Sequence, residues 1–153
     1  MTLHWTKEDD PRWDADKQRL FGPADLAAVD LDPPAAGTPV ADEWWQVTGD
    51  DGQVAGYGWL DSEWGDAQIT FWVNPARRGA GVGEFILDHL EDEAAARGLN
   101  YIYNVVPAST WLAVNSSGHS AATARAFLAI PGTPGQSVPK IIFRVSRGQL
   151  CRA

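Results

Sequence analysis

The stretch Ile69-Thr70-Phe71-Trp72-Val73-Asn74-Pro75-Ala76-Arg77-Arg78-Gly79-Ala80-Gly81-Val82-Gly83-Glu84 leaves this chain few ways to fold. Its first five residues are β-branched or aromatic and read as a buried strand, which Pro75 ends. A basic, glycine-dense turn follows. Val82, Ile86, Leu90 and Ala94 then recur every four residues, with Phe85 and Leu87 beside them, which predicts an amphipathic helix. The first amides of a helix have no partner within it, and the helix dipole puts partial positive charge there. Strand, glycine turn and helix start therefore make an anion site. Gly79, Gly81 and Gly83 clear the side chains from its approach, and Arg77 and Arg78 add cations at its mouth. The stretch is suited to a pyrophosphate.

Spacing narrows the choice. A nucleotide-binding Walker loop ends in Gly-Lys-Ser or Gly-Lys-Thr, which is absent. A dinucleotide fingerprint wants Gly or Ala where Glu84 stands, which argues against an NAD-dependent oxidoreductase. The pattern Val-x-Pro-x-x-Arg-Arg-x-x-Gly-x-Gly does fit, and here the sequence resembles the GNAT superfamily of N-acetyltransferases. The acetyl-CoA signature of that superfamily, (Gln/Arg)-x-x-Gly-x-(Gly/Ala), corresponds to Arg78-Gly79-Ala80-Gly81-Val82-Gly83. The resemblance is carried by residues 44–106: the strand before the turn, the helix after it, Arg97-Gly98 as that helix's cap, and a strand from Asn100 to Val106. It implies a single α/β domain over 1–153, with a mixed, mainly antiparallel sheet of about seven strands. The sheet would splay between strands four and five, with helices on both faces. It also implies a bulge near Phe71, Trp72 and Val73, where backbone meets the cofactor, with the splayed partner strand opening at Tyr103 and Asn104.

In chain order, Leu3 and Trp5 suggest a short edge strand. Residues 11–29 read as two helices broken at Gly22-Pro23, and the prolines at 33, 34 and 39 make the next segment a loop. Trp44–Thr48, Gln53–Leu60 and Ala67–Val73 form a three-strand meander joined by turns at 49–52 and 61–66. Beyond Val106, Ser120–Ile130 reads as a helix with Ala124, Phe127 and Leu128 inward, and Lys140–Val145 as a last strand.

The net charge of −8 disfavours nucleic-acid backbone as a partner and suits a cationic substrate, although an acidic surface also serves solubility. No apolar run reaches the ~20 residues needed to span a bilayer, and the acidic N-terminal stretch does not look like a secretory signal. Cys151 is the one cysteine, and no Cys/His cluster has zinc spacing. The expectation is a cytoplasmic, metal-free monomer or homodimer that uses acetyl-CoA as cosubstrate and binds neither membrane nor nucleic acid.

Acetyl transfer needs a neutral amine to attack the thioester carbonyl, a group to take the amine's proton, and an N–H donor for the oxyanion. The resemblance implies a glutamate in strand four before the bulge, but this chain has Gln68 there. Asp66 is then the candidate base, with Asp61 and Glu63 behind it; each also reads as a solvated turn residue. His89, four residues before Glu93, reads as exposed on the central helix, and His119 as a helix cap. Tyr103 has no tyrosine after it to protonate the departing thiolate. Eight tryptophans need placing: Trp59 and Trp72 in the core, Trp44, Trp45 and Trp64 in the core or along an amine-binding cleft. The resulting reading is an acetyl-CoA-dependent N-acetyltransferase acting on a primary, cationic amine by direct attack. The alternative is a CoA-binding module of weak or no activity.

Overall fold

The computed structural model describes residues 1–29, 31–63, 65–99, 101–105, 128–130 and 140–144. Its elements are β1 (His4–Lys7), α1 (Ala15–Leu20), α2 (Pro23–Ala28), β2 (Glu43–Thr48), β3 (Val54–Glu63), β4 (Asp66–Val73), α3 (Val82–Ala96), β5 (Tyr101–Val105), β6 (Leu128–Ile130) and β7 (Lys140–Arg144). Among the described residues one sheet runs β1-β2-β3-β4-β5-β7-β6, antiparallel throughout except at β4–β5. The edge strand, the meander and the strand–turn–helix unit stand where the residue pattern put them. Leu128–Ile130 do not continue a helix: they pair antiparallel with Lys140–Ile142. Three apolar residues before Pro131 carry no decisive periodicity, so pairing with β7 sets their conformation. The expectations for Trp64, for 106–127 (His119 included), for 131–139 and for the tail with Cys151 fall outside the described residues.

Side-chain alternation divides the sheet into two faces. On one, Val82, Ile86, Leu90 and Ala94 of α3 pack on Val47, Ala55, Leu60, Ala67, Ile69 and Ile102. Two glycines of β3 make the seat for this helix. A Cβ on Gly56 would lie 2.6 Å from the Trp72 carbonyl oxygen and 2.9 Å from Ile86 Cδ1, and one on Gly58 would lie 2.8 Å from Ile86 Cγ2. At its far end, Gly98 takes φ +73° after Arg97, which suits a glycine that closes a helix.

The other face is built from rings. Trp13, Phe21, Trp44, Tyr57, Trp59 and Trp72 form one buried cluster under α1, α2 and the loop to β2. Trp44 stacks on Trp59 at 4.2 Å and Phe21 on Trp72 at 4.6 Å. Trp44 here and Trp45 on the α3 face are both about 1% exposed, which settles them as core. Their ring faces meet the chain's own cations, Lys17 over Trp44 and Lys7 and Arg97 over Trp45.

The cover over the rings is held by local devices. Asp14 caps α1 by accepting from the Lys17 amide (2.9 Å), and Pro23 opens α2 while Asp25 accepts from the Gly22 amide (3.0 Å). Lys17 is fully buried, and its ammonium donates to both Glu8 oxygens (2.9 and 2.8 Å) and to Asp14 (3.0 Å). A buried cation is tolerable when its donors are met in this way.

Candidate cofactor and acceptor site

The site begins where β4 leaves β5. Their parallel pairing covers only Asp66↔Tyr101, Ala67↔Ile102 and Gln68↔Tyr103, while β4 continues to Val73 and β5 to Val105. From Ile69 and Asn104 onward the two strands share no pairing, so the sheet is open there. On its other edge β4 stays fully paired with β3, from Glu63↔Asp66 to Gly56↔Val73 in one unbroken register. The expected bulge at Phe71–Trp72–Val73 is therefore absent. The unbroken ladder with β3 accommodates no extra residue.

The ladder also fixes which way each peptide group faces. Asn74 donates from its amide to Ala55 (2.9 Å), so by alternation Trp72 and Thr70 turn their peptides to β3. Val73, Phe71 and Ile69 turn theirs toward the gap. Trp72 thus does not act with its two neighbours: its peptide belongs to β3 and its indole to the ring cluster.

The glycine turn lies at the gap's open end. Asn74 shapes it, accepting from the Ala76 amide (3.0 Å) and donating to the Val54 carbonyl (2.9 Å), and Pro75–Arg77 form one 3-10 turn. Gly79 and Gly81 have φ near +79° and +78°, the left-handed region that suits glycine, and the space a Cβ would take at either is open. Gly81 precedes α3 without a side-chain cap, and the helical hydrogen bonds begin with the Phe85 amide to the Gly81 carbonyl (3.0 Å). The amides of Val82, Gly83 and Glu84 come before that bond and are available to an anion. Gly79, Ala80 and Gly81 are exposed, whereas the Val82 side chain is buried beneath α3, so Val82 offers backbone only. At Gly83 a Cβ would make ordinary contacts of 3.6 Å with Phe71 and Val73.

The two arginines differ. Arg77 is turned to the β2–β3 hairpin, where it ion-pairs with Asp51 and holds that carboxyl below its ordinary pKa. Arg78 is well exposed, at 62% of its side chain, and lies 3.5 Å from Asp25 of α2. Sequence reasoning did not find Asp25, because no local pattern links residues 25 and 78. Arg78 is thus the more exposed of the two cations at the turn.

Carboxylates gather at the closed end. Asp61 pairs in register with Gln68, the last β4 residue bonded to β5, and Asp66 is two residues earlier on the same face. Burial first, and then the charge of Asp61, raise the pKa of Asp42, which has the only positive φ of a described non-glycine residue, +74°. His89 is not free on α3: it donates from Nδ1 to the Phe85 carbonyl (2.8 Å) and lies against the Phe85 and Trp5 rings.

Comparison with known proteins now bears on this geometry. The sequence matches the acetyltransferase (GNAT) family over residues 4–111. The chain belongs to that family. The match spans the phosphate turn and the gap, and acetyl-CoA is the cosubstrate of GNAT acetyltransferases. Comparison with curated proteins gives no match. Among solved structures, a Klebsiella pneumoniae protein named as a proposed acyl-CoA N-acyltransferase is similar at TM-score 0.63 and 17% identity, over 94% of this chain and 98% of that one. A spermidine N-acetyltransferase chimera of Vibrio cholerae SpeG and hSSAT is similar at TM-score 0.53 and 17% identity, over 69% of each chain. The Neisseria gonorrhoeae N-acetylglutamate synthase is similar at TM-score 0.56 and 14% identity, over 96% of this chain and 36% of that one. At these identities the likeness is one of GNAT fold. No helix among the described residues is long and apolar enough to cross a membrane.

Proposed function

We propose that this GNAT protein transfers the acetyl group of acetyl-CoA to a primary, cationic amine by direct attack on the thioester. The observation that carries the reading is the gap between β4 and β5 ending at an open glycine turn. The amides at the start of α3 and the Arg78 guanidinium would hold the pyrophosphate. The pantetheine arm would lie along the gap, as an extra strand does, against the free peptide edge of Ile69–Val73. The Phe71 or Val73 amide would donate to the carbonyl oxygen as it becomes an oxyanion. The amine lone pair forms the new C–N bond, the C–S bond breaks toward the thiolate, and the nitrogen's proton leaves through a carboxylate or water and ends on sulfur. Asp66 and Asp61 are the carboxylates at the closed end of the gap that can take it.

The charge of the acceptor follows from the same carboxylates. Together with Glu63 in the hairpin between them, they would draw in an ammonium over a range that salt screens, about 8–10 Å. That ammonium must lose a proton before it attacks, so the rate should rise with pH through the amine's effective pKa. Release of free thiol from acetyl-CoA, measured with a panel of cationic, neutral and anionic amines, tests the reading. Cationic amines should react fastest, with kcat/KM falling as salt is raised. Replacing Asp61, Glu63 and Asp66 together by their amides should flatten the salt dependence and leave the KM for acetyl-CoA nearly as it was. A best substrate that is anionic, or rates indifferent to salt, would show that the charge serves solubility only. No thiol release with any amine would leave the chain a CoA-binding module.

A further inference from the structure

The phosphate turn and α2 are far apart in the chain, yet the guanidinium of one meets a carboxylate of the other. Arg78 Nη2 lies 3.5 Å from Asp25 Oδ1. That is an ion-pair separation, longer than a hydrogen bond of ordinary length. The carboxylate is the fixed partner. Asp25 is the third residue of α2, its Oδ2 accepts from the Gly22 amide (3.0 Å), and its side chain is only 20% exposed. The arginine side chain is largely in solvent. Its neighbour Arg77 is already engaged by Asp51 of the β2–β3 hairpin.

Where the carboxylate sits on the guanidinium matters. An arginine grips a phosphate with two parallel N–H bonds, from Nη1 and Nη2 or from Nε and Nη2. Nη2 belongs to both edges, so a carboxylate beside it competes with a phosphate at either. Asp25 loses little when the arginine leaves. Its second oxygen keeps the Gly22 amide, and the first turn of a helix favours negative charge whether or not Arg78 is near. The carboxylate then remains as a like charge beside the bound anion, which weakens binding.

We infer that Asp25 sets the affinity of the cofactor site: it holds Arg78 in the free protein, must yield it to the pyrophosphate, and so weakens the binding of acetyl-CoA and CoA. The inference rests on the reading of the glycine turn as the pyrophosphate site and deepens it. Cosubstrate and product carry the same pyrophosphate, so the competition also shortens the stay of CoA after transfer. Pantetheine lacks that group and escapes the competition.

Calorimetry of the full chain with CoA and with pantetheine tests this. Asp25→Asn removes the charge and keeps an oxygen for the Gly22 amide, so the fold should hold. It should bind CoA about fivefold more tightly, the scale of an exposed ion pair, and bind pantetheine as the wild type does. CoA should also dissociate from it more slowly in stopped flow. In an Arg78→Ala background the same replacement should gain about twofold at most, since no guanidinium is left to release. Should Asp25→Asn not fold, Asp25→Ser also leaves an oxygen at this position and carries the same test. A CoA affinity that is unchanged or weakened overturns the inference, and weakening would make Asp25 a support for Arg78 rather than its competitor. An equal gain for pantetheine, or a full gain without Arg78, overturns it as well, while the pyrophosphate reading stands. A wild-type protein that binds CoA no better than pantetheine overturns both.

Discussion

The two faces of the sheet are built on different principles. The α3 face is mainly aliphatic, with Trp45 the one ring in its buried core: a fifteen-residue helix seats a single stripe on aliphatic side chains and bare glycine backbone. The opposite face is aromatic, and its cover is two helices of six residues each with a proline-bearing loop. Helices that short do not hold themselves together in water. Their cover depends on Phe21 and Trp13 inserted among the rings and on the Lys17 cluster. The α3 face is thus held by one long helix along a continuous stripe, while the ring face, which the proposed reading gives to the acceptor, is covered by short helices held down by side chains. Regions of that second kind open locally at lower free energy, which suits a surface that must admit a substrate.

The largest effects come from removing one face's key. Phe21→Ala should cost about 3–5 kcal/mol of stability, measured by urea unfolding. In protein that remains folded, it should raise the acceptor's KM and leave acetyl-CoA affinity nearly unchanged. Ile86→Ala should cost a similar ~2–5 kcal/mol with the opposite selectivity, disturbing acetyl-CoA first. Equal disturbance of both ligands by both variants would abolish the distinction between the faces.

A smaller effect isolates the phosphate turn from either core. Gly81 is exposed with open space before it, and aspartate visits its left-handed φ at a local cost, so Gly81→Asp should fold with some loss of stability, yet it places a carboxylate where the pyrophosphate would lie. Calorimetry should show CoA affinity down by roughly 100-fold, about 2.7 kcal/mol. Arg78→Ala should lose about 1.5–3 kcal/mol for CoA and far less for pantetheine, which has no pyrophosphate. Equal losses for the two ligands would make Arg78 a surface charge only.

The smallest effect concerns the rivet between α3 and β2. Burial alone would raise the Glu43 pKa, but hydrogen bonds from Arg97 and Lys7 outweigh it and hold it below its ordinary value. A depressed carboxylate stabilises the fold above its unfolded pKa, near 4.5, and that contribution is lost as pH falls through the folded value. Glu43→Gln should therefore lower stability by about 0.5 kcal/mol at neutral pH, given the solvent screening of this half-exposed pair, and by less as the pH drops below 4. A deficit independent of pH would assign Glu43 a packing role.

The parts of this architecture that local chemistry dictates were readable in advance. The run Ile69–Val73, its stop at Pro75, the glycines and the four-residue stripe of α3 each depend only on near neighbours. What stayed hidden depends on groups far apart in the chain. Arg77 and Arg78 look alike in sequence, but Asp51 takes one and Asp25 faces the other. His89 reads as a solvent residue until Trp5, from the first strand, closes over it. Leu128–Ile130 carry too few residues for a period, and only β7 makes them a strand.

Lys17 has a consequence for the chemistry next to it. A protein that holds a thioester keeps an acylating agent in its own interior, and primary amines are what such an agent modifies. The lysines of this chain are Lys7, Lys17 and Lys140. Lys17 belongs to the cover over the ring face and is packed against the Trp44 and Tyr57 rings. All three of its N–H bonds are committed to Glu8 and Asp14. The contacts that pin this cover would also withhold that one amine from acetylation.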